Sequence, residues 1–145
     1  MRALLQRVKS ARVSVDTKTI AECGYGMVIL LGIGQGDKPE ETGVLAEKIA
    51  NLRIFEDEQG KTNRSIIEIN GEALVVSQFT LYADTRKGRR PSFIDAAAPE
   101  LAEPMVLQLA EDLRSRGIRT QTGKFGEHML VEIHNDGPFT IWLEN

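Results

Sequence analysis

Residues 27–33 read MVILLGI, an apolar run interrupted only by Gly32. A strand with one face in water alternates apolar and polar residues, so a run of this kind calls for a strand covered on both faces. The polar segment GQGDKPEE at 34–41 ends the run, and a helix is expected after the break. GVLAEKIANLRIF at 43–55 supplies it: Leu45, Ile49 and Leu52 recur at helical spacing, with Glu47, Lys48 and Asn51 off the stripe. This predicts an amphipathic helix packed on a sheet.

Strand-like runs outnumber helical ones. Residues 2–8 (RALLQRV) and 11–16 (ARVSVD) read as two short strands joined by a tight turn at Lys9-Ser10. Strands are expected again at 73–81 (ALVVSQFTL), 129–134 (MLVEIH) and 139–143 (FTIWL), with NDGP as the turn between the last two. A second helix is expected between Pro99 and Gly117, where Val106, Leu109, Ala110 and Leu113 form a stripe and Gly117 suits the stop. Pro104 would cost about 3 kcal/mol inside a helix, so regular helix is expected after residue 104, with a start near Glu103 or distorted turns before it. No segment repeats and no linker divides the chain. Residues 1–145 are therefore expected to form one α+β domain, a curved, barrel-like sheet covered by two main helices.

Cys23 is the only cysteine, which excludes an intrachain disulfide and leaves no thiol cluster for zinc or iron–sulfur chemistry. The net charge of −3 excludes a surface that is basic throughout but leaves room for a local basic patch. The opening MRALLQRVKSARVSVD mixes charges with its apolar residues, unlike a signal peptide or membrane span, so no membrane association and a cytoplasmic location are expected.

Several motifs carry less chemistry than they suggest. Gly32, Gly34 and Gly36 lie between a strand and a helix, but their spacing fits neither the dinucleotide fingerprint nor a P-loop, and Asp37 puts an anion where phosphate would sit. His128 and His134, the only histidines, could share a strand face but have no third ligand nearby, so no metal site is expected. Ser77 lacks the G-x-S-x-G elbow of a serine hydrolase. Arg86, Lys87, Arg89 and Arg90 put four cations in five residues, a solvated loop or a source of phosphate neutralisation for RNA. Thr80 in SQFTL is an ordinary sheet residue or a hydroxyl aimed into a pocket; both readings stay open. Gly137-Pro138 is trans by base rate, although an X-Pro bond adopts cis for only about 0.5–1 kcal/mol.

With RALLQRVKSARVSVD, NLRIF, RRPSF and QTGKFG, the motifs SQFTL and NDGPFT resemble those of the D-aminoacyl-tRNA deacylase family, in the family's order and along the whole chain. The resemblance implies a homodimeric hydrolase that cuts the ester of D-aminoacyl-tRNA without cofactor or metal, its active sites at the subunit interface. It assigns Ser77, Gln78, Phe79 and Thr80 to the catalytic segment and Gly137-Pro138, as a cis element, to a chiral filter inserted from the other subunit. Arg7 is implied to lock that filter across the dimer, and Phe125 and Met129 to lie near the terminal adenine. The basic residues 86, 87, 89 and 90 would then meet tRNA. The family motif NxGPVT has valine where this chain has Phe139, a departure expected to alter packing beside the filter. A related family, which removes L-alanine from mischarged tRNA, differs at SQFTL and has a trans Gly-Pro.

An aminoacyl ester is already activated, so positioning, a water and an oxyanion site suffice. Backbone N–H groups around Phe79 and Thr80, helped by the tRNA 2′-hydroxyl, are the expected machinery, with Thr80 the one side chain expected to take part. A filter that works by rejecting L side chains cannot reject glycine, so glycyl-tRNA, including glycine mischarged on tRNA(Ala), is an expected substrate. The alternatives are a non-catalytic RNA-binding module using the basic loop and a nucleotide-binding protein using Gly32–Gly36.

Overall fold

The computed structural model describes residues 1–144, with β3 (Gly26–Gly32) at the centre of its main sheet. Met27, Ile29 and Leu31 point from β3 into a core shared with the two helices, while Val28 points into a second cluster with Val8, Val13, Leu74 and Val76. The apolar run is thus a strand covered on both faces. β3 pairs antiparallel with β1 (Arg2–Val15) and parallel with β6 (Glu72–Ser77), which pairs parallel with β7 (Arg119–Thr122). β2 (Lys18–Cys23) and β8 (Met129–Glu144) flank β1. Although β2 and β7 end the main strand order, the Glu22 N–H donates to Gln121 Oε1 at 3.0 Å, so the sheet curls back on itself. The result is a nearly closed, barrel-like sheet with two helices on its outside; β4 (Phe55–Glu56) and β5 (Thr62–Arg64) form a small ribbon.

Three local expectations are corrected. Residues 2–15 form one strand, with no turn at Lys9-Ser10. β1 changes partner there, from β3 over Arg2–Val8 to β2 over Ala11–Val15, and register shifts against β8 absorb the bend. Residues 129–144 are likewise one strand rather than two joined at NDGP. Gln6 faces Thr140 and Val8 faces Asn135, so Asp136–Phe139 bulges out of the ladder instead of reversing the chain. The strand expected over 73–81 ends at Ser77, and Phe79–Tyr82 winds into a 3₁₀ turn.

α1 (Glu41–Asn51) buries Leu45 and Ile49; Leu52 lies just past its end. α2 (Pro99–Ser115) begins with Pro99 in its first turn and continues through Pro104. Pro104 is exposed, so the Glu100 carbonyl it leaves without an intrahelical donor faces water, which makes the proline tolerable near the helix start. Val106, Leu109, Ala110 and Leu113 are buried as the spacing predicts, and Gly117, at φ +84°, ends the helix with its N–H on Arg114 O. No helix among the described residues is long and apolar enough to cross a membrane.

Cys23 is buried, and burial pushes its thiol up to about 11. Only about one thiol in a thousand is then ionised at pH 8, against an unfolded reference near 8.5. Native protein should resist alkylation at pH 8, and denaturant should speed labelling by at least about a hundredfold. Rapid stoichiometric labelling of native protein would contradict this burial.

Candidate active site

The turn after β6 is shaped by glycines on the neighbouring strand. Gln78 N–H bonds to Leu31 O at 2.8 Å as the last link between the strands, and the chain then folds over the end of β3. A Cβ on Gly32 would lie 2.9 Å from Gln78 O, and one on Gly34 would lie 2.7 Å from the Tyr82 hydroxyl. The turn rests on these two positions because they lack side chains. Leu81 N–H bonds back to Gln78 O and Ala83 N–H to Thr80 O. The N–H groups of Phe79 and Thr80, the first two of the turn, have no backbone acceptor among the described residues.

This turn meets a cavity of about 590 Å³ that is largely apolar. Ser77, Gln78 and Phe79 line it together with Phe125, Met129 and His128; Ala97, just before α2, and Ala102, in its second turn, complete this part of the wall. Phe79 is exposed and packs edge-on against Phe93, ring centres 4.9 Å apart. Thr80 does not line the cavity: it is exposed, and its hydroxyl is bonded by the Gln78 amide, so the pocket-facing hydroxyl is not observed.

The second motif lies elsewhere. Gly137-Pro138 is a cis peptide within the bulge of β8, and neither residue lines the cavity of its own chain. Arg7, buried, donates to Asp136 O at 3.2 Å and to Ile54 O at 2.8 Å, and its guanidinium also meets the Asp136 and Glu56 carboxylates at 3.2 and 3.5 Å. It lies 4.9 Å from the centre of the Phe139 ring, so the residue that departs from valine stacks against this cation. The Asn135 amide spans the bulge, donating to Arg7 O and Phe139 O at 2.8 and 3.0 Å. Arg7 therefore braces the Gly-Pro bulge of its own chain.

Of the basic residues, Arg86 is bound by both carboxylate oxygens of Asp84 through its side chain, a contact that holds the Asp84 carboxyl down at about 2. Asp84 also pairs with Ser92 through the backbone, which closes the loop. Lys87, Arg89 and Arg90 are exposed on it. The histidines do not share a site: His134 Nδ1 is 3.1 Å from Ser10 Oγ, and His128 lines the cavity. Among the described residues no group of three or more His, Cys, Asp or Glu is placed to hold a metal. Asp37 takes the Gly34 N–H at 2.6 Å, the Tyr82 hydroxyl at 3.2 Å and the Met1 ammonium at 2.6 Å. The glycine turn's own carboxylate thus occupies the donors a phosphate would need.

The D-Tyr-tRNA(Tyr) deacylase family model matches residues 4–144. The chain belongs to this family. Similar proteins named D-aminoacyl-tRNA deacylase include one from Roseiflexus sp. (strain RS-1), 58% identical over 145 residues, with all of this chain and 94% of that protein covered. Another, from Fervidobacterium nodosum (strain ATCC 35602 / DSM 5306 / Rt17-B1), is 51% identical, covering all of this chain and 97% of its own. A solved structure described as c-Myc DNA Unwinding Element Binding Protein superposes with TM-score 0.93 at 43% identity, covering 100% of this chain and 99% of that one. A probable eukaryotic D-amino acid tRNA deacylase shares the fold at TM-score 0.85 and 18% identity, covering 98% and 97%.

In this deacylase-family chain, sequence reasoning missed Phe93, Ala97 and Ala102 of the cavity wall and the supporting role of Gly32 and Gly34. The available signal was the glycine spacing itself, which marks close approach of another backbone once phosphate is set aside. Gly32→Ala should push the turn off β3, because the obstructing atom is a backbone oxygen. A loss of about 1–3 kcal/mol is expected in chemical denaturation; unchanged stability would show that the turn does not depend on this contact.

Proposed function

We propose that the protein hydrolyses the ester of D-aminoacyl-tRNA, releasing the free D-amino acid and tRNA, and acts as a chiral proofreader. The observation that carries the reading is the turn after β6, which opens with two N–H groups, of Phe79 and Thr80, that have no backbone acceptor among the described residues, and whose Phe79 lines an apolar cavity. Donors fixed in advance stabilise the oxyanion that forms when water attacks the ester carbonyl, and they need no reorganisation during the reaction. Ser77 and Gln78 carry the strand into this turn, and Thr80 contributes through its backbone. The 2′-hydroxyl of the substrate's terminal ribose assists, so no side-chain base is needed. Phe125 and Met129 offer the terminal adenine an apolar stacking surface.

Chirality is policed by Gly137-Pro138, whose flanking carbonyls occupy the space an L side chain would need. Because these residues lie outside the cavity of their own chain, the element serves the active site of a second copy in a homodimer. Arg7 and Asn135 keep the bulge rigid enough for exclusion to work. Glycine has no side chain to exclude, so glycyl-tRNA, including glycine mischarged on tRNA(Ala), is cleaved as well. Lys87, Arg89 and Arg90, with Arg86 partly neutralised, meet the tRNA backbone; these partners place the protein in the cytoplasm.

The test compares matched D-tyrosyl-, L-tyrosyl- and glycyl-tRNA with enzyme far below substrate. D-tyrosyl and glycyl esters should turn over and the L ester should not; RNA binding without turnover would instead indicate a non-catalytic RNA-binding module. Arg7→Lys replaces a planar fork by one ammonium and should reduce D-over-L discrimination about tenfold. Equal discrimination in that variant would refute the bracing role.

Neutralising Lys87, Arg89 and Arg90 together should weaken tRNA binding and flatten its salt dependence by up to three phosphate equivalents, about 0.9 in log–log slope for each. An unaltered slope, measured by titration between 50 and about 200 mM salt, would remove this loop from the RNA interface.

A further inference from the structure

We propose that Arg2 is a positioning residue for the reaction, setting the orientation of the Phe79–Tyr82 turn without touching substrate; this rests on the deacylase reading above. Its Nη1 donates to Leu81 O at 3.0 Å, a carbonyl inside the turn. Its Nε donates to Glu144 Oε1 at 2.8 Å, and its guanidinium lies 4.4 Å from the centre of the Tyr82 ring and 5.9 Å from that of Trp142. One side chain thus ties the turn to the end of β8, the strand that carries Gly137-Pro138.

The position of Arg2 makes this more than a surface ion pair. Its backbone pairs with Gly32 on one side and Glu144 on the other, and Gly32 is the residue over which Gln78 passes. The turn is therefore held from below by the absence of a side chain and from the side by the guanidinium. Asp37 fixes Tyr82 from a third direction through its hydroxyl. A short turn closed by few bonds of its own rotates easily, and rotation would swing the Phe79 and Thr80 N–H groups off the place where an oxyanion forms. A planar fork can hold a carbonyl and a carboxylate at once while stacking on an aromatic face; an ammonium cannot do all three.

Positioning predicts a loss in the chemical step rather than in binding. The experiment measures single-turnover deacylation of D-tyrosyl-tRNA, KM, thermal midpoint and amide exchange at Leu81 and Ala83. It uses wild type, Arg2→Met, Arg2→Lys and Glu144→Gln. Arg2→Met should slow the chemical step about ten- to a hundredfold, less than loss of an oxyanion donor outright, with KM changed less than about twofold. Exchange at Leu81 and Ala83 should accelerate. Arg2→Lys should recover part of the rate, and Glu144→Gln should give a smaller loss of the same kind. If Arg2→Met does not fold, the other two variants decide by the same criteria.

Folded variants with wild-type rates, or a loss confined to KM, overturn the positioning role while leaving the deacylase reading intact. A wild type that cleaves no D-aminoacyl ester overturns that reading and the role of Arg2 with it.

Discussion

The close parallel pairing of β3 with β6 is the constraint on which the rest of the structure depends. It is bracketed by glycines: a Cβ on Gly26 would lie 1.8 Å from Glu72 O at one end, and one on Gly32 would lie 2.9 Å from Gln78 O at the other. Between them both strands are almost wholly buried, with apolar faces inside the curled sheet and beneath the helices. A parallel pair buried on both faces cannot slip register without moving its apolar residues between cores. The register therefore decides where β6 runs out, and so where the chain turns over Gly32. The placement of the two free N–H groups follows from how the core packs.

That origin accounts for the character of the site. The cavity beside the turn has no metal-ligand cluster among the described residues, and the polar residues among those that line it are Ser77, Gln78, Glu127 and His128. Backbone donors hold position only as well as the elements carrying them. The structure accordingly spends its buried and half-buried polar side chains on bracing: Arg7 and Asn135 on the bulge, Asp37 and Arg2 around the turn. Tyr82 shows the same arrangement, since burial, followed by the Asp37 carboxylate, raises its phenol and keeps the hydroxyl proton available for the bond to Asp37.

What could be read from the sequence was what is encoded locally. The unbroken apolar run of β3 and the stripe Val106, Leu109, Ala110, Leu113 of α2 depend on spacing within one element, and both stand in the structure. The errors fell where a distant strand decides. Lys9-Ser10 and NDGP look like turns, but bulges and hairpin turns draw on the same small and polar residues; pairing with β8 and β1 makes them bulges. SQFTL has strand-forming residues, yet Gly32 on another strand allows it to leave the sheet. Ser77, Gln78 and Phe79 stand out in the sequence through family resemblance alone, and they line the cavity, whereas the wall from Phe93, Ala97 and Ala102 has no motif of its own.

β1 connects the turn after β6 with the Gly-Pro bulge of β8. Arg2 near its start reaches the turn after β6, and Arg7 further along reaches the bulge of β8. An odd separation along a strand sends side chains to opposite faces, so one strand can brace two motifs without crowding either. Both motifs are thereby referred to a single backbone, itself held by β3 on one edge and β8 on the other. Errors in placing the turn and the Gly-Pro bulge are then correlated rather than independent, because any shift of β1 moves both braces together. In the proposed homodimer the bulge of one copy meets the turn of the other, so a shift of β1 in either copy would disturb both active sites at once, one through its turn and the other through its bulge.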